Sequence, residues 1–158
     1  MPERLVINTG PLITLARIDC LDVVGQLPYE FLTPEAVRRE LDAGEAEGYP
    51  RIAPEWVAMR RLSGPVAGVA LAALDLGEAA VIQLALEMQI STVAIDEWKG
   101  RRAATASGLD VIGTLGLLGR AKILGLVPSL KPLIERALQE GVRYHPDLVR
   151  AVLDAVGE

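Results

Sequence analysis

The chain is poor in the side chains that anchor much of enzyme chemistry. It has one cysteine, Cys20, so neither an internal disulfide nor a multi-cysteine zinc site can form, and this residue is expected in the apolar core. It has one histidine, His145, which removes any chemistry that needs two imidazoles. A Ser/His/Asp triad would have to be built on His145, in a segment, RYHPD, where a loop or cap role is the simpler expectation. Long apolar runs are missing too. The longest uncharged stretch, Leu62 to Leu74, has 13 residues, against the ~20 that a membrane-spanning helix needs. The opening MPERLVIN lacks the long apolar stretch of a secretory leader, and the chain is expected to be soluble and cytoplasmic, with no membrane partner. Positive charge is in deficit as well: a net charge of -5 argues against a protein that coats nucleic acid through bulk charge. An acidic centre that reaches phosphate through metal ions remains open. If the chain is an enzyme, carboxylates do the work.

What is present suits a folded globule. The 158 residues, 51% apolar and 23% charged, fit one core. Arg4–Asn8 reads as a short strand, and Thr9-Gly10-Pro11 opens a helix, with Pro11 suited to its first turn. A second short helix is expected over Asp19–Leu27, then a strand, Glu30–Thr33, stopped by Pro34. Thr33 is expected to cap the helix in TPEAVRREL, where Val37 and Leu41 share one face. The Gly-, Glu- and Pro-rich stretch from Asp42 to Pro54 reads as a solvated loop or frayed helix end. Beyond it the pattern predicts an edge strand (Trp56–Leu62), helices over Val66–Leu74 and Gly77–Met88, and a buried strand, TVAI, ending at Asp96-Glu97. A basic helix (Trp98–Ala106) stops at Gly108 and is followed by a short strand, LDVIG, and a helix over Thr114–Ile123. Amphipathic segments Leu130–Gln139 and Pro146–Val156 complete the chain; Leu130, Leu133, Ile134, Ala137 and Leu138 are expected on one buried face. Residues 1–125 are read as the core and 126–158 as a helical extension packed on it or on a second subunit.

Alternation of helices with strands that lack a polar face implies an α/β fold, a mostly parallel sheet covered on both sides. Ligands bind such sheets at the carboxyl ends of the strands, where strand order reverses. Asn8, Asp96 and Thr114 all sit at predicted carboxyl ends. Taken singly, each acid has an ordinary explanation: Asp96 as a helix cap, Glu40 as surface charge, Glu78 as a complement to a helix dipole, Asn8 as an Asx-turn. Taken together, Asn8, Glu40, Glu78 and Asp96, with Glu97 adjacent, form an oxygen-only donor set of the type that selects Mg²⁺ or Mn²⁺. Two such ions can clamp the attacking and leaving oxygens of a phosphodiester displacement.

The segments VINTGPLITLARID, TPEAVRREL, LGEAAVIQLALE, IDEWKGRRAATASGLDVIGTLGLLGRAK and GLVPSLKPLIERALQEG, in this order, resemble PIN-domain proteins over nearly the whole chain. The likeness is greatest to the bacterial and archaeal subgroup of predicted nucleic-acid-binding proteins. The resemblance implies a three-layer α/β/α nuclease that cuts single-stranded or structured RNA with Mg²⁺ or Mn²⁺. Many such proteins are VapC-like toxins held inactive by an antitoxin, so an antitoxin partner and a homodimer are also implied. By position, the four family acids fall on Asn8, Glu40, Glu78 and Asp96, with Glu97 able to assist. Asn8 stands where the family has Asp, which removes one charge from the cage and keeps alive a rival reading, an RNA-binding module with weak or no cleavage. A third reading is protein association through the C-terminal helices. Thr9 and Thr114 are candidates to support the acids or touch substrate phosphate. Arg38, Arg39, Lys99, Arg101 and Arg102 are candidates for backbone contacts. Trp98 is expected to pack, with base stacking as its alternative.

Overall fold

A computed structural model describes residues 2–158. Its centre is a parallel sheet of five strands: β1 (Glu3–Ile7), β2 (Tyr29–Pro34), β3 (Val57–Arg60), β4 (Thr92–Ala94) and β5 (Asp110–Ile112), in the order β3-β2-β1-β4-β5. The helices are α1 (Thr9–Arg17), α2 (Leu21–Gly25), α3 (Glu35–Ala46), α4 (Gly68–Leu71), α5 (Leu76–Glu87), α6 (Trp98–Ala106), α7 (Thr114–Ile123), α8 (Lys131–Gln139) and α9 (Pro146–Ala155). In the middle of β1, Leu5, Val6 and Ile7 are all fully buried. Successive strand side chains point to opposite faces, so both faces of the sheet are covered, as in an α/β sandwich.

The strand order locates the site. From β1 the chain steps outward through β2 to β3, then returns to place β4 on the other side of β1 and β5 beyond it. The reversal lies between β1 and β4, which pair in parallel with Ile7 opposite Ala94. The Asn8 N–H continues this ladder, donating to the Ala94 carbonyl at 3.0 Å. Asn8 and Asp96 therefore leave neighbouring strands at the crevice where such sheets bind ligands.

Several helix boundaries follow from local chemistry. Asp75 and Glu78 form a reciprocal capping box at the start of α5: the Glu78 N–H donates to Asp75 Oδ1 at 2.8 Å and the Asp75 N–H to Glu78 Oε1 at 3.2 Å. Gly108 ends α6 in the left-handed region, at a φ of 82°. His145 caps α9, its ring accepting from the Asp147 N–H, and Cys20 is buried in the core.

Other boundaries differ from the sequence reading. Thr33 does not cap α3. Its hydroxyl donates across the sheet to the Ile7 carbonyl at 2.8 Å, and Pro34, which ends β2 opposite Arg60, stands at the N-cap. Proline can hold this place because its fixed φ of -77° suits extended backbone at a strand end. Helix α3 runs on to Ala46, five residues into the stretch read as a solvated loop or frayed helix end, since the polar residues there form a solvated helix face as readily as a loop. In α8, Leu130, Ile134 and Ala137 are buried as expected, but Leu138 is 45% exposed and lies off that face. The carboxylate of Glu158 anchors the same helix, accepting from the N–H groups of Leu130 and Lys131, the Ser129 hydroxyl and the Lys122 ammonium. Within this chain Val152 and Val156 of the α9 region pack over Gly119 of α7.

Candidate active site

The first residue after β1, Asn8, is only 7% exposed, and its side chain does not form the expected Asx-turn. The amide oxygen Oδ1 is enclosed without a hydrogen-bond donor. Its neighbour Thr9 donates its hydroxyl to Glu40 Oε2 at 2.5 Å, so the first turn of α1 holds the Glu40 side chain that α3 delivers. A Cβ at Gly77 would lie 2.5 Å from Glu40 Oε1. Glycine at that position thus lets the Glu40 carboxylate rest on the start of α5, one residue from Glu78.

Glu78 combines two roles. Oε1 closes the capping box, as the ordinary explanation for a first-turn acid requires, whereas Oε2 is buried and has no partner. The residue is 4% exposed. Burial pushes its pKa up to about 7, with the neighbouring Asp75 carboxylate and the charge on Glu97 raising it further. Gly100 provides the space for it, since a Cβ there would meet Glu78 Oε2 at 2.6 Å. The α6 backbone therefore lies directly against this acid.

Asp96 does not cap α6. Glu97 does, its carboxylate accepting from the Lys99 N–H at 3.3 Å. Asp96 instead reaches across to the start of α7, where Thr114 donates its N–H to Oδ1 at 2.7 Å and its hydroxyl to Oδ2 at 2.5 Å. Thr114 is enclosed and its hydroxyl is committed to Asp96, so it supports that carboxylate. Arg101 folds back along α6 to donate to the Ile95 carbonyl at 2.8 Å. Its Nη1 and Asp96 Oδ1 both lie 3.0 Å from where a Cβ of Gly113 would be.

The remaining basic candidates separate. Arg38 pairs with Asp42 and Arg39 with Glu35, at 2.9 and 2.7 Å, across single turns of α3. Such exposed pairs hold their partners weakly and can exchange for phosphate. Lys99 is exposed near the start of α6. Arg102 lies 4.8 Å over the ring of Trp98, which is 61% exposed. Packing is therefore not the role of Trp98; it presents a surface ring topped by a guanidinium.

Asp96, Glu97, Trp98 and Arg101 line a cleft of about 760 Å³ whose far wall is the α8–α9 loop, residues 142–145, with the start of α9. The sequence reading did not single out Tyr144 of this loop, nor the glycines 77, 100 and 113 that seat the acids. A glycine's use as a seat depends on a neighbour far away in sequence, so only the fold reveals it.

The family model for DUF3368, described as a PIN domain, matches residues 4–158. The chain belongs to the PIN-domain family. No curated protein matches it. The PIN assignment agrees with the parallel five-stranded sheet and the placement of Asn8 and Asp96 at its switch point.

Whether these residues suit a divalent cation can be judged from their free oxygens. Among the described residues, no three Asp, Glu, His or Cys side chains stand together as a finished cage. Glu40, Glu78 and Asp96 are three acids without Asn8, so in this arrangement their carboxylates are not drawn together, and Glu40 lines a different cavity from Asp96 and Glu97. The enclosed oxygens of Asn8 and Glu78 nevertheless lack partners, and a buried acceptor without a donor is costly unless a cation or water supplies one. The donors are all oxygen, which fits a hard ion.

Proposed function

We propose that this PIN domain is a metal-dependent ribonuclease that hydrolyses phosphodiester bonds in single-stranded or structured RNA. The observation that carries the reading is an enclosed, unpartnered oxygen on each of Asn8 and Glu78, with Asn8 at the switch point beside Asp96, which is held by two bonds from Thr114. Asn8, Glu40, Glu78 and Asp96 would hold Mg²⁺ or Mn²⁺, and Glu97 would add negative charge at the rim. The bound ion would neutralise phosphate charge and lower the pKa of the attacking water.

The chain's own groups do the positioning. Thr114 and Thr9 fix the Asp96 and Glu40 carboxylates, leaving fewer orientations to freeze when substrate arrives. Arg101, Lys99 and Arg102 would hold the phosphate backbone on the α6 side, with Arg38 and Arg39 contributing from α3. Water attacks phosphorus, the bond to the 3′ oxygen breaks, and the products carry a 5′-phosphate and a 3′-hydroxyl. The same resemblance supports a role as the toxin of a toxin–antitoxin pair, with an antitoxin partner and a homodimeric state in the cytoplasm.

One observation favours a second reading. Asn8 is neutral where the PIN acid stands, and a site that has lost cation affinity would bind RNA without cutting it. Incubating mixed single-stranded RNAs with the protein and Mn²⁺, with and without EDTA, separates the two. Cleavage abolished by EDTA supports the nuclease; retention of intact RNA on the protein supports the binder.

A further inference from the structure

The far wall of the cleft belongs to a segment with no part in the acidic centre described so far. Arg143, Tyr144 and His145, in the connection from α8 to α9, line the cleft together with Asp96, Glu97, Trp98 and Arg101. Arg143 and His145 are exposed, and Tyr144 is half-buried. The Tyr144 hydroxyl is enclosed and has no hydrogen-bond partner. Burial raises its pKa first, and the Asp96 carboxylate raises it further. The phenol therefore keeps its proton throughout the neutral range, as a donor with nothing to donate to, within the field of the carboxylate at the heart of the site.

A buried donor without an acceptor marks a place where a ligand oxygen can be received. Tyr144 and Asp96 line the same cleft, and the carboxylate's charge is felt at the hydroxyl. Arg101, bonded to the Ile95 carbonyl, and Arg143 line the cleft together with the acids Asp96 and Glu97. That arrangement suits a phosphodiester, an anion that needs donors on its flanks when it approaches carboxylates. The Trp98 ring at the rim is largely exposed with the Arg102 guanidinium over one face, so a base would stack on the face that Arg102 leaves open. About 760 Å³ is in the range of a small-ligand pocket and suits a short length of single strand.

We propose that the α8–α9 loop is the second wall of the substrate groove, and that the Tyr144 hydroxyl donates to a phosphate oxygen of a single RNA strand threaded between it and Trp98. The inference rests on the nucleic-acid reading of the site and adds a substrate-contacting residue from the C-terminal segment. Arg143 supplies the countercharge on that wall.

The test uses a fluorescein-labelled single-stranded RNA, with Ca²⁺ in place of Mn²⁺ to hold back cleavage, and compares binding to wild type and Tyr144→Phe by anisotropy. Phenylalanine keeps the ring in the wall and removes an unsatisfied hydroxyl, so melting temperature should hold or rise while affinity falls on the order of tenfold. Equal affinity in the two proteins overturns the proposal. So does a wild type that binds no single-stranded RNA. Cleavage of bis(p-nitrophenyl) phosphate with Mn²⁺, measured in parallel, reports on the acidic centre alone. Activity there beside equal RNA affinities sinks the Tyr144 contact and leaves the nuclease standing. A tenfold affinity loss without phosphodiesterase activity supports the contact and sinks the nuclease.

Discussion

Thr114 grips both oxygens of Asp96, the backbone N–H at 2.7 Å and the hydroxyl at 2.5 Å. The carboxylate of β4 is thereby tied to the first turn of α7, and its orientation is set by the β5–α7 junction. Thr114→Val keeps the shape and removes one bond inside an enclosed site, so unfolding should become easier by about 1–3 kcal/mol. Thr114→Ser retains the hydroxyl and should recover most of this. Denaturant unfolding of the two variants checks the difference; equal losses in both would mean that the methyl, and not the bond, matters.

The contact between Gly77 and Glu40 predicts a separation of stability from activity. Alanine is ordinarily favoured over glycine in a helix by about 1 kcal/mol. Here the added methyl would meet Glu40 Oε1 at 2.5 Å, and a flexible carboxylate moves aside more easily than backbone. Gly77→Ala should therefore fold with little or no loss of stability, while metal-dependent activity falls at least tenfold. Paired melting and cleavage assays decide it, and full activity in the variant would show that Glu40 need not occupy this position.

Much of this arrangement was legible in the sequence. The α6 and α7 spans were readable because a basic stretch and an apolar one are each bounded by strong punctuation, Gly108 in the first case and Gly113-Thr114 in the second. The apolar runs that end in Asn8 and Asp96 marked two strands with polar residues at their carboxyl ends, and the pairing of β1 with β4 sets those residues side by side. Capping was less legible: a threonine before a proline looks like a cap, yet Thr33 bonds across the sheet to Ile7, a partner 26 residues away. Trp98 was expected to pack because tryptophan usually does, and only the tertiary structure shows that no element covers it. Tyr144 went unnoticed because nothing in RYHPD connects it with Asp96.

Glu78 predicts a pH dependence with a definite sign. Its pKa is raised to about 7 in the folded protein from an ordinary value of 4.5. A group that holds its proton more tightly when folded contributes stability that is fully present below the unfolded value and is lost as pH rises through the folded one. In EDTA, wild type should lose stability as pH rises from about 4.5 through about 7. Glu78→Gln should flatten the curve over that window. An unaltered slope in the variant would assign the pH dependence elsewhere.

The central claim is that the β1–β4 crevice is a working metal-dependent phosphodiesterase despite a carboxamide at Asn8. Titrating RNA cleavage against Mn²⁺ for wild type and Asn8→Asp tests it most directly, because the substitution restores a charged hard ligand with almost no change in size. Both proteins should cleave, EDTA should abolish both activities, and the aspartate variant should reach half its full rate at a lower Mn²⁺ concentration. Absence of cleavage by either protein at saturating Mn²⁺, with RNA still bound, would contradict the account and leave a nucleic-acid-binding PIN domain.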